Sequence, residues 1–402
     1  MNTKTANTLA QQTLNLAQAG DYAGYDPFDG LNSRLFSVAP MLRKGVFGLA
    51  WTQLFKRSPI NFRPLCLVPK KRNPKGVALF ILGLVNDYQR SGEQKYVHEA
   101  QRLADWLLTQ KCDEQQWGAP CWGYHFDWNA RAFYVPKGKP NVITTLYVAK
   151  ALHAFGLVTK QDKYTQCAMQ SAHFMVNHLY TQTTDEQGRE QCYFAYIPGE
   201  SAFVHNASLW AAAWVATYAA YYDDSLYGDL ALQVARQSVQ AQNEQGAWVY
   251  GTRHHHQFID GFHTGYNLEA LDIVRSQLQT TEFDAAIERG LQFYTEHLFD
   301  SQGTAKYYHD NPYPLDMHSV CQALLTLLKV NPNAEQLALA DKILARSVEL
   351  LYEQRSGRFV YQKGKRHTNK VNYMRWTQAW VYYSFSELAL VQQRTRVEQE
   401  AA

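Results

Sequence analysis

Residues 205–242 read HNASLWAAAWVATYAAYYDDSLYGDLALQVARQSVQAQ, and this stretch decides the fold. Its apolar positions recur at helical spacing over 205–222 and again over 227–242, on either side of Asp223 and Asp224, which predicts two helices joined by a turn. Working outward, the same pairing recurs upstream at 75–89 with 95–110 and at 141–157 with 163–180. Downstream stand 263–278 with 282–298, 317–329 with 335–354, and a last helix from 373 to about 391. Strand signals between the pairs are short. A single helical hairpin cannot bury its own apolar face, so neighbours must stack, and closing the stack into a ring gives an inner and an outer layer of helices. The expected fold is all-α, an (α/α) barrel or toroid of five to six hairpins over residues 75–392. Residues 1–74 form a helical or irregular segment packed on it, and 393–402 form a polar tail.

The bulk properties agree with one large globular unit. The chain has 402 residues, 46% apolar and 19% charged, and its mean hydropathy of −0.41 excludes a protein of many membrane spans. A net charge of +3 is too mild for a nucleic-acid partner, and the basic residues are spread along the chain. The apolar run 45–55, between Arg43–Lys44 and Lys56–Arg57, falls short of the roughly twenty residues a span needs. It reads as a core helix, with interfacial membrane contact as the alternative. Residues 1–20 lack the layout of a secretory signal, and the six cysteines show neither a CxxC pair nor a zinc pattern. Reduced thiols and a cytoplasmic location are expected.

Two features point to the site. Aromatic loops precede most first helices of the pairs, at Trp122–Tyr124, Tyr193–Tyr196, Trp248–Tyr250, Tyr307–Tyr308 and Phe359–Tyr361, about 53 to 72 residues apart. The first helices also open on polar or aromatic residues: Asn141, His205 and Asn206, His263 to Asn267, Asp316 to Ser319, and Tyr373 to Trp376. In a toroid these positions converge on one mouth, where helix N-termini favour an anionic ligand. Ordinary N-capping explains the Asn, Thr, Ser and Asp residues equally well; His263, Tyr266, His318 and Arg375 exceed what caps require.

The densest segment is WVYGTRHHHQFIDGFHTGYN, residues 248–267. Three adjacent histidines in a loop do not converge readily on one ion, and no HExxH motif accompanies them, so no metal and no cofactor are expected. The segment instead offers Trp248, Tyr250, Arg253, Asp260, His263 and Asn267 to a sugar. Trp128 with Arg131, and Tyr373 with Arg375 and Trp376, pair an aromatic platform with a guanidinium that can grip a uronate carboxylate. The alternative is that these tryptophans pack the barrel and the arginines pair with nearby Asp. Glycoside hydrolysis needs two carboxylates and has Asp127, Asp260, Asp310 and Asp316 as candidates. Proton abstraction α to a uronate carboxylate needs a cation, a base and, for inversion, an acid on the other face; His, Tyr and Arg at helix N-termini meet that list.

From about 120 to 390 the chain resembles bacterial proteins of polysaccharide-biosynthesis clusters. The resemblance rests on WGYHFDW (122–128), VHNA (204–207), FHTGYNL (262–268), YPLDMHS (313–319) and YMRWTQA (373–379). More distantly it is similar to the helical domain of heparosan-type glucuronyl 5-epimerases, at Phe262-His263-Thr264 and at the helix holding Gln322-Ala323-Leu324. That resemblance implies an isomerase converting glucuronate to iduronate in an acidic polysaccharide, working as a possible homodimer. It makes Tyr250, Tyr266 and Tyr308 the proton-transfer candidates, with His263 and His318 as assistants or alternatives. Arg131 or Arg375 would hold the carboxylate, and Asn141 and Asn206 the sugar. A lyase shares the same first step, and a non-catalytic polysaccharide binder would use the same mouth. The family's β-rich N-terminal portion has no clear counterpart in residues 1–75.

Overall fold

The computed structural model of the chain describes residues 5–129, 134–184 and 188–401. Its helices in chain order are α1 (Ala6–Ala19), α2 (Gly45–Arg57), α3 (Pro74–Ser91), α4 (Gln94–Leu108), the single turn α5 (Glu114–Trp117), α6 (Val142–Thr159) and α7 (Asp162–His178). They continue with α8 (His205–Tyr222), α9 (Ser225–Val239), α10 (Gly261–Gln277), α11 (Asp284–His297), α12 (Met317–Lys329), α13 (Ala334–Leu351) and α14 (Ala379–Ala401).

Sequence pattern sorts these helices into two rings. Helices α6 and α8 are apolar on nearly every side and are buried along most of their length, which suits a helix with neighbours all round. By contrast α4 buries one stripe, Tyr96, Ala100, Leu103, Ala104 and Leu107, so it covers one face and meets water with the other. The inner ring closes in the order α3, α6, α8, α10, α12, α14 and back to α3. Outside it, α4, α7, α9, α11 and α13 each pack on the inner helix that precedes them. The sixth outer place is taken by α1, which lies along α14, so the last pair joins the two ends of the chain. Leu9 and Leu14 are buried there, each contributing about 1.5–3 kcal/mol of apolar burial. The fold is an (α/α) barrel of six pairs, as the periodicity predicts.

Local signals fix the helix starts. Asn73 caps α3, with Pro74 at its first position, and Gly92 ends it at φ 72°. Asn141, Asp260 and Asp316 cap α6, α10 and α12 through their side-chain oxygens. Two details depart from the periodicity. A strand hairpin, Tyr180–Thr184 with Glu190–Phe194, follows α7. The last inner helix opens with a π-helical turn, Met374–Gln378, and α14 continues through residues 393–401, so the polar tail is helical. One helix, Val142–Thr159, is long and apolar enough to cross a membrane, but it is an inner barrel helix, buried for most of its length.

Candidate active site

All six inner helices bring their N-terminal ends to one cavity of about 500 Å³, within the range of small-ligand sites. Lys75 enters from α3, Ile143 from α6, Asn206 from α8, His263 and Tyr266 from α10, His318 from α12, and Arg375 and Trp376 from the π turn. The aromatic loops supply the walls: Tyr124, Phe126 and Trp128 on one side, Tyr250, Phe258 and Tyr308 on another. The C-terminal end of α2 adds Lys56 and Arg57 at the rim. Convergent N-termini and three lysine or arginine side chains without an ion pair among the described residues favour negative charge here.

The chemistry centres on two histidines. Asp260 accepts hydrogen bonds from the His263 backbone N–H (2.8 Å) and, through its other oxygen, from His263 Nδ1 (2.7 Å). One carboxylate thus caps α10 and fixes the imidazole tautomer, leaving Nε2 as the free ring nitrogen. His318 is buried, with Nε2 2.6 Å from the Tyr266 hydroxyl and Nδ1 without a partner among the described residues. Burial, helped by the cations Lys75 and Arg375, holds His318 well below the usual histidine range, so it stays neutral.

Lys75 stands across the ring from α10. Its ammonium nitrogen lies 4.4 Å from the Tyr147 ring centre, 5.1 Å from Trp380 and 5.9 Å from Tyr266. Burial, reinforced by Arg375, drives its pKa well below the usual lysine range. Lys56 is lowered too, chiefly by burial. The tyrosines move the other way. Burial raises Tyr250, Tyr266 and Tyr308, and for Tyr250 and Tyr308 the Asp260 carboxylate adds to it. They are phenols that can donate a proton, one of the two transfers expected of the tyrosines.

Of the residues singled out from sequence, Trp128, Asn206, Tyr250, Asp260, His263, Tyr266, Tyr308, His318, Arg375 and Trp376 line the cavity. Arg131 lies outside the described residues. Arg375 is present but already engaged: its Nε and Nη2 donate to the two oxygens of Asp26 at 2.5 and 2.7 Å, both groups being buried. That bidentate pair removes it as a free carboxylate grip. Five others do not line the cavity. Trp248 is core, its Nε1 donating to the Ser238 carbonyl, because the barrel wall needs its bulk against Gly290. Tyr373 is fully buried against Arg63 and Tyr361. Arg253 turns away to Glu200, 2.5 Å distant. Asn141 spends its side-chain oxygen capping α6. Asn267, next to Tyr266, is buried within the barrel.

The three adjacent histidines form a short 3-10 turn in which His255 reaches the cavity mouth and His256 packs on Tyr250. Among the described residues no group of three His, Cys, Asp or Glu side chains is placed to hold a metal ion. Sequence reasoning missed Lys75, Lys56 and Arg57. The signal for Lys75 was there: a lone charge opening an apolar helix, the criterion that selected His263 and Arg375. A second cavity, about 610 Å³, opens at the C-terminal ends of the inner helices. Two of its cations are paired, Lys150 with Glu269 and Lys329 with Glu387, and it holds no histidine-carboxylate pair.

No protein-family model and no curated protein sequence matches the chain. Solved structures do match its fold. An unsaturated glucuronyl hydrolase specific for heparin superposes with a TM-score of 0.62 at 12% identity, covering 97% of this chain and 96% of that one. A cellobiose 2-epimerase from Bacillus thermoamylovorans gives 0.60 at 9% identity, covering 81% and 90%. An α-mannanase from Bacteroides thetaiotaomicron gives 0.61 at 12% identity, covering 81% and 88%. At such identities the likeness establishes the (α/α) barrel.

Proposed function

We propose that this chain is a carbohydrate-modifying enzyme that removes the proton α to the carboxylate of a uronate residue in an acidic polysaccharide, acting as a glucuronyl 5-epimerase. The observation that carries the reading is the opposition of two proton-transfer groups: His263, oriented by Asp260 on α10, and Lys75, without an ion pair among the described residues, on α3. His263 Nε2 takes the C5 proton, and the electron pair left behind spreads into the carboxylate as an enolate. Lys56, Arg57 and the helix N-termini stabilise that charge. A proton then returns to C5 from the opposite face, from Lys75 or from the Tyr266 hydroxyl beside it. Exchange with water restores both groups, and the route requires no cofactor.

The cations and the aromatic walls support an acidic sugar as substrate. The barrel enzymes that share this fold, a heparin-specific glucuronyl hydrolase and a sugar epimerase among them, support the carbohydrate class. Two-carboxylate hydrolysis is less well served. Asp260 is the one carboxylate lining the cavity among the described residues; Asp316 is buried behind it, and Asp127 and Asp310 lie off it. A lyase differs only in expelling the 4-oxygen, for which the Tyr250 phenol, its ring centre 4.5 Å from that of His263, would be the acid. We place the reaction in the cytoplasm; recovery of the chain from another compartment on fractionation would overturn that.

The test is proton NMR in heavy water with heparosan and with unsulfated glucuronan. Deuterium at C5 with iduronate supports the epimerase, and unsaturated ends transfer the reading to a lyase. New reducing ends without exchange, or no reaction on either polymer, would reject it.

A further inference from the structure

One face of the molecule remains unexplained by the cavity. Between residues 30 and 86 the chain has ten Lys and Arg and not one Asp or Glu. Among the described residues, ten of the sixteen exposed large apolar side chains also fall within residues 35–67. Val38 is 88% exposed, Met41 80% and Val46 85%. Single exposed apolar residues need no explanation, but a concentration of this size does.

The two features share one surface. Helix α2 buries only Gly48, Thr52 and Phe55, which turns Val46, Phe47 and Leu54 outward. The loop that follows is tied back beside the residues that precede the helix: the Arg34 N–H donates to the Leu67 carbonyl at 3.3 Å, and Ser33 Oγ donates to the Cys66 carbonyl at 2.5 Å. Exposed Leu65 and Leu67 therefore adjoin Leu35 and Val38. Lys44 stands at the start of α2 and Lys56 and Arg57 at its end, the last two on the cavity rim. A helix of 13 residues is about 20 Å long, too short to cross a bilayer but suited to lying in its surface.

We propose that the face formed by residues 33–67 docks on the headgroup layer of an anionic lipid bilayer and holds the cavity mouth at the membrane surface. Apolar side chains enter the acyl boundary while Lys44, at the start of α2, meets lipid phosphates. Charge decides between this partner and a second copy of the chain. Arg43 and Arg63 are paired with Asp127 and Asp29; a two-fold contact would set the remaining cations of the face against themselves, whereas an anionic leaflet neutralises them.

The test uses the purified full chain with vesicles of phosphatidylcholine alone and of phosphatidylcholine mixed with phosphatidylglycerol. The protein is expected to sediment with the mixed vesicles and to be released by high salt. Lys44→Glu should lower the partition at least about fivefold. The triple variant Val38→Ser, Met41→Ser, Val46→Ser should stay in the supernatant while keeping the wild-type circular dichroism spectrum and melting curve. The proposal fails if the wild-type chain ignores the mixed vesicles, or if the triple variant sediments as the wild type does. It also fails if light scattering finds a wild-type dimer that the triple variant splits, since the face would then be covered by a second copy.

Discussion

Asp26→Ala is the substitution that tests the site's frame most directly. The Asp26 carboxylate takes both hydrogen bonds from Arg375, and the side chains are 1% and 3% exposed. Burial pulls the guanidinium pKa down and Asp26 outweighs it, so Arg375 remains charged. Removing the carboxylate leaves a cation in the barrel with no carboxylate bonded to it and strips the Phe28 N–H of its acceptor. Breaking a buried pair in this way costs about 3–5 kcal/mol, a large share of the roughly 5–15 kcal/mol that a folded domain holds. Urea unfolding followed by circular dichroism would read it as a lower midpoint at an unchanged slope. Combining Asp26→Leu with Arg375→Met removes both charges and should recover most of the loss. A cost below about 1 kcal/mol for Asp26→Ala would refute the assignment of Arg375 to structure and return it to the substrate.

Four further outcomes follow from named contacts. His263→Gln should slow C5 exchange by about 10²–10⁴-fold with ligand affinity nearly unchanged, and Asp260→Asn, which keeps the α10 cap, should show a smaller loss; isotope exchange by NMR measures both. Lys75→Met keeps the contacts of the aromatic cage but removes the amine, so exchange and uronate affinity should both fall while the melting temperature holds or rises. His205 is buried and His125 half-buried, with pKa values lowered by burial to about 4 and about 3; because their folded values lie below the unfolded value near 6.5, their contribution is present above pH 6.5 and is lost as pH falls. Between pH 6.5 and 4 each should lose up to about 3 kcal/mol, a slope in melting temperature that His205→Gln should flatten. Gly83→Ala would set a methyl 2.5 Å from the Tyr382 ring and should cost about 1–3 kcal/mol in thermal unfolding.

The barrel was legible because helical period is a local property repeated six times, and each repeat votes for the same architecture. The pairing of α1 with α14 was not, since a contact between residues 6–19 and the far end of the chain leaves no local mark. In the site, helix-opening residues such as His263, Tyr266 and His318 could be found because N-terminal position in an inner helix dictates which way a side chain points. Tyr373 failed for a related reason: one residue before the opening at Met374 the chain runs through the wall of the barrel, and Trp248, in the loop before α10, fills that wall against Gly290. The pairing of Arg375 could not be assigned from sequence, because its partner Asp26 lies 349 positions away. Lys56 and Arg57 looked like flanks of an apolar helix, and only the fold brings them to the rim.

On the proposed reaction, the arrangement of charge explains why histidine and lysine, and not tyrosine, would take the basic role. A phenol acts as a base only where cations lower its pKa, and here Arg375 is neutralised by Asp26 while Asp260 stands beside Tyr250. The same burial that raises the phenols lowers Lys75 and His318, because it penalises whichever form is charged. The amine on α3 and the imidazole on α10 can each accept a proton, and each would become an acid once it has done so. Entry of a uronate carboxylate reverses the penalty on Lys75 by giving its ammonium form a counter-ion. Binding should therefore draw in a proton, which calorimetry in buffers of different ionisation enthalpy can count. Uptake near one proton that vanishes in Lys75→Met would tie the carboxylate to Lys75, and uptake that persists in that variant would assign it to another group.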